Sequence, residues 1–430
     1  MPKDDPAAFY AHTMDAKIFN LEANKLIVII HEKDGKDLGI LPLDRLEIYC
    51  PKTDKRAVAI ADFTTTMVKP GEIGLFLDVA KELSLEAEEK VEVKAMGIPE
   101  SLNYIKKKLR NKPLEEHEIR TIVKDITYNR LSDIELSAFM ASVYIHGFNL
   151  KETIAMTKSL LEFGRRIKLD KGPVLDKHCI GGINGRVTMI VVPIVASAGY
   201  YMPKTSSRSI TSAAGTADAM EVLAPVNLSI ERIKEITEKV GGVICWGGAV
   251  ELAPADDKII KVEHPLSIDP PGQIVASVMA KKASVGAEYA VIDLPVGPDV
   301  KVRNVEMAKK LAERFIDTGK ELGIKVEAVI TDGTEPCGRA FGAALEAKYV
   351  METLEGKIFD NLAQKACELA GVLFELVGEC EPGKGFYKAK QILTSGKALK
   401  KMQEIIAAQG GNIFSSKEIP YAELKHTTFS

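Results

Sequence analysis

The spacing of apolar positions changes twice along this chain. From about residue 16 to 93, short β-branched or alternating runs dominate (25–30, 45–49, 57–61 and 89–93), with Asp34-Gly35 and Pro70-Gly71 as turns between them. Residues 73–83 carry helical spacing. The pattern predicts a small barrel-like β domain over 1–95 with one helix. From 99 to 170 the period becomes helical: Ile119, Ile122, Val123 and Ile126 repeat at i, i+3, i+4, i+7. Ser132 and Glu135 form a capping-box signature, and 153–163 is amphipathic. Lys171-Gly172-Pro173 then breaks the pattern as a hinge. Beyond Val174, short buried strands (242–245, 289–293, 326–330) alternate with helices (230–240, 307–322), which predicts a parallel or mixed α/β sheet. Residues 258–282 interrupt it with a Pro-containing turn and a helix that returns to the helical lobe. The division expected is 1–95, then a helical domain of 99–170 with 256–284, then an α/β domain of 173–255 with 285–430.

Composition narrows the function classes. The 430 residues exceed what one core holds, about 250–300, so two or three domains are expected. A net charge of -3 leaves no electrostatic footprint for nucleic acid or an anionic membrane. The best apolar run, 187–198, is interrupted by Pro193 and falls short of the roughly 20 residues of a membrane span. The N-terminus has no secretory h-region, and six scattered cysteines without a CxxC pair read as reduced thiols of a cytoplasmic protein.

Two stretches have the chemistry of anion sites. In Asp176-Lys-His-Cys-Ile-Gly-Gly-Ile-Asn-Gly-Arg186, glycines precede an apolar helix, so backbone N–H groups and the helix N-terminus converge; Lys177 adds a charge and Thr188 a hydroxyl. The same glycines also make an ordinary tight turn. The second stretch, 203–218, is dense in hydroxyls around one guanidinium, Arg208, which suits phosphate oxygens. A solvated Ser/Thr-rich loop is the alternative. Neither a GxxxxGK[ST] loop nor an acidic cluster shaped for Mg²⁺ accompanies them, which favours phosphate as a nucleophile over phosphoryl transfer. In 264–271, Asp269 lies between apolar and proline residues, an environment that can raise a carboxyl's pKa and suit proton donation, though the residues alone favour an Asp capping a turn before proline. His178 and His264 read as packing residues or catalysts alike.

Together, Asp176-Lys-His-Cys-Ile-Gly-Gly, residues 204–221, Ala276-Ser-Val-Met-Ala-Lys-Lys282 and Thr331-Asp-Gly-Thr-Glu-Pro-Cys-Gly-Arg-Ala340 resemble the pyrimidine-nucleoside and thymidine phosphorylases, and more closely the archaeal AMP phosphorylases. The resemblance spans about 113–411, and the N-terminal β domain matches the AMP phosphorylases. It implies an α/β, two-lobed nucleoside phosphorylase fold, a helical lobe plus an α/β lobe with a mixed sheet, preceded by a small β-barrel-like domain. It implies an active site in the cleft between the lobes and a homodimer or higher homo-oligomer built through the helical lobe. Phosphate contacts map onto Lys177, Thr188, Ser206 and Thr216. Nucleotide contacts map onto Gly181, Ser207, Arg208, Ser209, Ile210, Thr211, Ser212, Thr216, Ser277 and Lys301, and the proton donor onto Asp269. No metal and no organic cofactor is implied.

Two departures from the thymidine phosphorylases count against a free pyrimidine nucleoside: Cys179 stands where they have Ser, and no base-reading Arg matches where this chain reads Lys-Val-Glu-His (261–264). The family continues with an α/β segment past a point like Thr428, so the C-terminal part of the fold is expected to be missing. The activity expected is phosphorolysis of nucleoside 5'-monophosphates, AMP + phosphate giving adenine and α-D-ribose 1,5-bisphosphate, in nucleotide salvage. A pyrimidine-nucleoside phosphorylase is the nearest alternative. A Mg²⁺-dependent phosphoribosyltransferase and a non-enzymatic assembly protein are the others.

Overall fold

A computed structural model describes residues 11–23, 25–86, 89–181, 185–209 and 213–420. The chain forms two compact units, one of Met1–Lys112 with Thr121–Phe139, the other of Pro113–Arg120 with Met140–Ser430.

The first unit holds a closed six-stranded barrel, ordered β1-β5-β2-β4-β3-β6. Its elements are β1 (His12–Phe19), β2 (Ile27–His31), α1 (Glu32–Leu38), β3 (Arg45–Cys50), β4 (Lys55–Thr64), β5 (Glu72–Phe76), α2 (Leu77–Glu82) and β6 (Lys90–Ala95). Period-2 alternation sends Leu46, Ile48 and Cys50 of β3 inward, against small Ala57, Ala59 and Ala61 of β4. Two local readings are corrected. Asp34-Gly35 lies inside α1, where a Cβ on residue 35 would meet the Phe63 ring at 2.5 Å, so this glycine serves close packing. The helical spacing of 73–83 yields first to β5, which pairs with both β1 and β2, and only then to α2; strand pairing overrides local preference here.

Helices follow: α3 (Ser101–Leu109), α4 (Glu116–Thr127), α5 (Asp133–His146) and α6 (Leu150–Glu162). The expected capping box precedes α5, with Glu135 N donating to Ser132 Oγ at 3.1 Å and Ser132 N to Glu135 Oε2 at 2.5 Å.

In the second unit, β7 (Leu175–Cys179), α7 (Thr188–Ser197), β8 (Met202–Ser206), α8 (Thr216–Glu221), α9 (Ile230–Val240), β9 (Gly242–Trp246), α10 (Pro254–Leu266), α11 (Pro271–Ser284), β10 (Tyr289–Val296), α12 (Val305–Leu322) and β11 (Lys325–Asp332) follow in order. Sheet β11-β10-β7 and pair β8-β9 are parallel, and a parallel bridge between Val174 and Tyr201 joins them. Strand C-terminal ends therefore share one edge. Helix α7, preceded by a 3-10 turn (Gly185–Val187), is apolar on every side and buried from Thr188 to Ala196, as a helix enclosed by the core must be. It continues through Pro193. Helices within 343–409 complete the core around it. Among the described residues, no helix is long and apolar enough to cross a membrane.

Candidate functional site

Strand β7 puts charge in the middle of a parallel sheet, where strands are normally apolar throughout. Alternation separates its side chains into two faces. On one face, Asp176 is fully buried, ion-paired with Lys282 and with Lys204 at 3.7 Å. Burial alone would raise the Asp176 carboxyl; the two lysines outweigh it and hold it below its ordinary range. Lys204, buried at the centre of β8, donates to Thr205 O at 2.6 Å, and burial pushes its ammonium down to about 7. His178 shares this face. Burial, then Lys282, Lys204 and Lys281, drive its pKa well below the usual imidazole value, so it is neutral.

The other face is not closed in this way. Lys177 is 1% exposed, and its ammonium has Thr188 Oγ1 at 3.5 Å as hydrogen-bond neighbour. Among the described residues no carboxylate lies within ion-pairing distance of it. Burial lowers its pKa. Cys179, opposite Asp293 of β10, is pushed up to about 12 by burial and stays a thiol. Asp293 is ion-paired with Lys365 at 3.3 Å and accepts from Thr331 Oγ1 at 2.6 Å. On this face two buried lysines, Lys177 and Lys365, stand against one buried aspartate, Asp293, with Lys177 beside Thr188 at the first turn of α7.

Gly181 lies just beyond this strand. Its φ of +146 lies where only glycine is comfortable, and a Cβ would stand 2.9 Å from Pro295 Cγ. Residues 182–184 of the glycine-rich motif lie outside the described residues.

At the end of β8 the chain folds back on itself. Asp218 Oδ2 accepts from Ser209 N at 2.7 Å and Gly215 N at 2.9 Å, while Ala217 N donates to Ser207 O. A Cβ on residue 215 would stand 2.5 Å from Ser207 O, so Gly215 is required for this close approach. The clamp sets Thr216 at the first turn of α8, next to the segment Ser206–Ser209. Helix α8 packs against α7 and the 3-10 turn, which brings Ser206 and Thr216 to the same strand edge as Lys177 and Thr188. Arg208 is held by Asp218 at 3.0 Å and by both oxygens of Glu221 at 2.6 and 2.9 Å, above the ring of Trp246. These carboxylates, Glu221 first, raise its pKa. Ile210, Thr211 and Ser212 lie outside the described residues.

A third group comes from α10, α11 and the loop after β10. Ser277 Oγ donates to Asp256 Oδ2 at 2.7 Å, and Lys281 pairs with the same buried carboxylate at 2.6 Å. Asp269 pairs with Lys301 at 2.5 Å, and its side chain is 44% exposed. The enclosure by apolar neighbours expected for Asp269 is therefore not found: Pro270 turns into α11 and leaves the carboxylate facing solvent and Lys301. Ile180 packs with Val275, Val278 and Met279 of α11 and with Val302, so this group adjoins Gly181.

Residues 102–164 match the glycosyl transferase family, helical bundle domain, and residues 171–399 the glycosyl transferase family, a/b domain. Over 393 residues the chain is 48% identical to AMP phosphorylase 1 of Archaeoglobus fulgidus, a match covering 91% of this chain and 77% of that one. The chain belongs to the AMP phosphorylase family. Family members from Methanospirillum hungatei (46% identical, 93% of this chain and 78% of that one) and Thermococcus sibiricus (44%, 96% and 82%) are similarly related. Anthranilate phosphoribosyltransferase from Thermus thermophilus superimposes with a TM-score of 0.59 over 71% of this chain and 98% of that one, at 18% identity, which shows a shared fold.

Within the family's two domains, the residues expected at the site thus fall into three groups, all in the second unit. The buried charges Asp176, Lys204, Lys282, Asp293 and Lys365 had not been singled out as site residues. Lys365 carried a legible signal: it sits at i+3 from Leu362 on the buried and otherwise apolar face of its helix. Asp293 likewise interrupts an apolar strand. A surface hollow lined by Pro271, Asn304, Met307 and Arg314 contains none of the expected residues.

Proposed function

We propose that this protein cleaves the N-glycosidic bond of AMP with inorganic phosphate, giving adenine and α-D-ribose 1,5-bisphosphate. One observation carries the chemistry: Lys177, an ammonium buried without a carboxylate partner among the described residues, stands beside Thr188 at the N-terminus of α7. A buried cation of this kind is matched by a bound anion. Phosphate held there by Lys177, Thr188, Ser206 and Thr216 is aimed at C1' of the ribose. The transition state resembles an oxocarbenium ion, as in other glycosyl transfers, and the adjacent anion stabilises its charge. Arg208 and its neighbouring hydroxyls hold the 5'-phosphate, so binding energy remote from the reacting bond aligns C1'. The guanidinium exchanges Asp218 and Glu221 for phosphate oxygens of matching geometry. Nucleotide engaging Lys301 releases Asp269, which passes to the departing base the proton that the attacking phosphate gives up as its oxygen bonds to C1'.

The family relatives carry the name AMP phosphorylase, which favours this reading over a thymidine phosphorylase. Its setting is a cytoplasmic homodimer. Incubation with AMP and phosphate, followed by mass analysis, tests it. Equimolar adenine and ribose bisphosphate are expected, with adenosine and thymidine left intact; preferential cleavage of thymidine would reject it.

A further inference from the structure

Strands β7 and β8 meet only where they begin. A bridge pairs Val174 with Tyr201, and Leu175 N donates to Tyr201 O at 2.9 Å. Beyond that bridge the two strands form no ladder with each other among the described residues. The N–H of Lys177 is taken by its neighbour's side chain, Asp176 Oδ1, at 2.7 Å. Yet two of the groups assigned to phosphate lie past this point, Lys177 on β7 and Ser206 at the end of β8. Side chains span the gap. Asp176 Oδ1 stands 3.7 Å from Lys204 Nζ, two residues before Ser206. Asp176 Oδ2 accepts from Lys282 Nζ of α11, the helix that carries Ser277. All three side chains are buried. One buried carboxylate is balanced by one cation, and a second lysine adds a desolvation cost with no further charge to match it. Charge balance therefore does not explain the second arm; the elements the two arms reach do.

We propose that Asp176 is a positioning residue with two arms: through Lys204 it fixes the separation of the two strands that grip phosphate, and through Lys282 it sets the nucleotide-binding helix α11 against them. The inference rests on the proposed assignment of phosphate to Lys177 and Ser206 and of nucleotide to Ser277. Phosphate is held from both strands, so freeing β8 from β7 separates its contacts. The loop after Ser206 is closed by its own Asp218 clamp and travels with β8, so its grip on the 5'-phosphate does not depend on the Lys204 arm. Cutting the Lys282 arm frees the helix bearing Ser277 and leaves Lys177, Thr188 and Ser206 in place. Each arm therefore serves a different substrate.

The test uses the full chain with Lys204→Met and, separately, Lys282→Met. Each leaves Asp176 paired with the other lysine, so no buried carboxylate is stranded. Calorimetry reads the binding of inorganic phosphate and of AMP separately, without turnover. Lys204→Met is expected to weaken phosphate roughly tenfold and AMP less than about threefold, and Lys282→Met the reverse; a displacement of about 1 Å at a contact suffices for losses of this size. In kinetics the same split should appear between the two KM values. In a cycle with Ser206→Ala, the phosphate losses should overlap, because Lys204 acts through Ser206. Equal weakening of both ligands would show a lost electrostatic field, and lower stability with unchanged affinities would show packing alone. Additive losses in the cycle would show that Lys204 does not act through Ser206. Each of these overturns the proposal, and either arm decides by itself if the other variant does not fold. If the wild type binds both ligands but releases no adenine, the phosphorolysis reading fails while the binding comparisons still decide the role of Asp176.

Discussion

Replacing Lys177 with Met removes one buried charge while keeping the length of the side chain, and its effects on stability and on ligand binding have opposite signs. Lys177 is 1% exposed, and among the described residues its ammonium has only the Thr188 hydroxyl, at 3.5 Å. Substituting a buried charge by a well-packed apolar group of similar volume is often neutral or stabilising, by about 1–4 kcal/mol for whole pairs, so the variant should unfold no more easily than wild type. With phosphate bound, the loss is a charge-assisted hydrogen bond, about 1.5–3 kcal/mol, or roughly 10- to 150-fold in affinity. Thermal unfolding with and without phosphate separates the two. At phosphate about 100 times its wild-type Kd, wild type gains about 2.7 kcal/mol of stability; a variant binding a hundredfold more weakly gains about 0.4 kcal/mol. A variant that loses several kcal/mol without phosphate, yet keeps the phosphate-dependent gain, would show Lys177 to be structural and remove it from the phosphate site.

Three further outcomes are expected. Arg208→Ala should raise the KM for AMP roughly tenfold or more and leave that for phosphate within about twofold, because the guanidinium faces the 5' end only; equal effects in steady-state kinetics would contradict this. Asp269→Asn should lower kcat by roughly 10²–10⁴ with little change in AMP affinity, and an unchanged kcat would take Asp269 out of the chemistry. Lys204, lowered to about 7 in the fold from an ordinary 10.5, binds fewer protons folded than unfolded between those values, so it makes stability rise with pH there. Chemical denaturation should show the wild type gaining on Lys204→Met by up to about 1.4 kcal/mol per pH unit above pH 7, and a pH-independent difference would refute it.

The α/β alternation was legible because its strands are apolar and its helices periodic: 230–240 and 242–245 became α9 and β9 almost unchanged. Strands β7 and β8 were not among the strands expected, for the opposite reason. Asp176, Lys177, Pro203 and Lys204 have the composition of exposed chain, and only the tertiary pairing of Asp176 with Lys204 and Lys282 makes their burial tolerable. Local sequence carries no trace of a partner 106 residues away. The two anion stretches were found from their glycines and hydroxyls. That they meet at one strand edge follows from parallel pairing and from the Asp218 clamp, neither of which is a local signal.

The fold alone does not determine the reaction. At a TM-score of 0.59 and 18% identity, the architecture of 71% of the chain is shared with a protein named for a different transfer, and an architecture is compatible with many chemistries. What it fixes is position: five parallel strands end on one edge, and helix N-termini gather there. Charge in such strands works against stability unless something offsets it. On one face of β7 the offset is internal, because Asp176 is matched by two lysines. On the other face Lys177 has no carboxylate match among the described residues. The unmatched face of β7 is therefore where ligand, rather than fold, dictates the sequence.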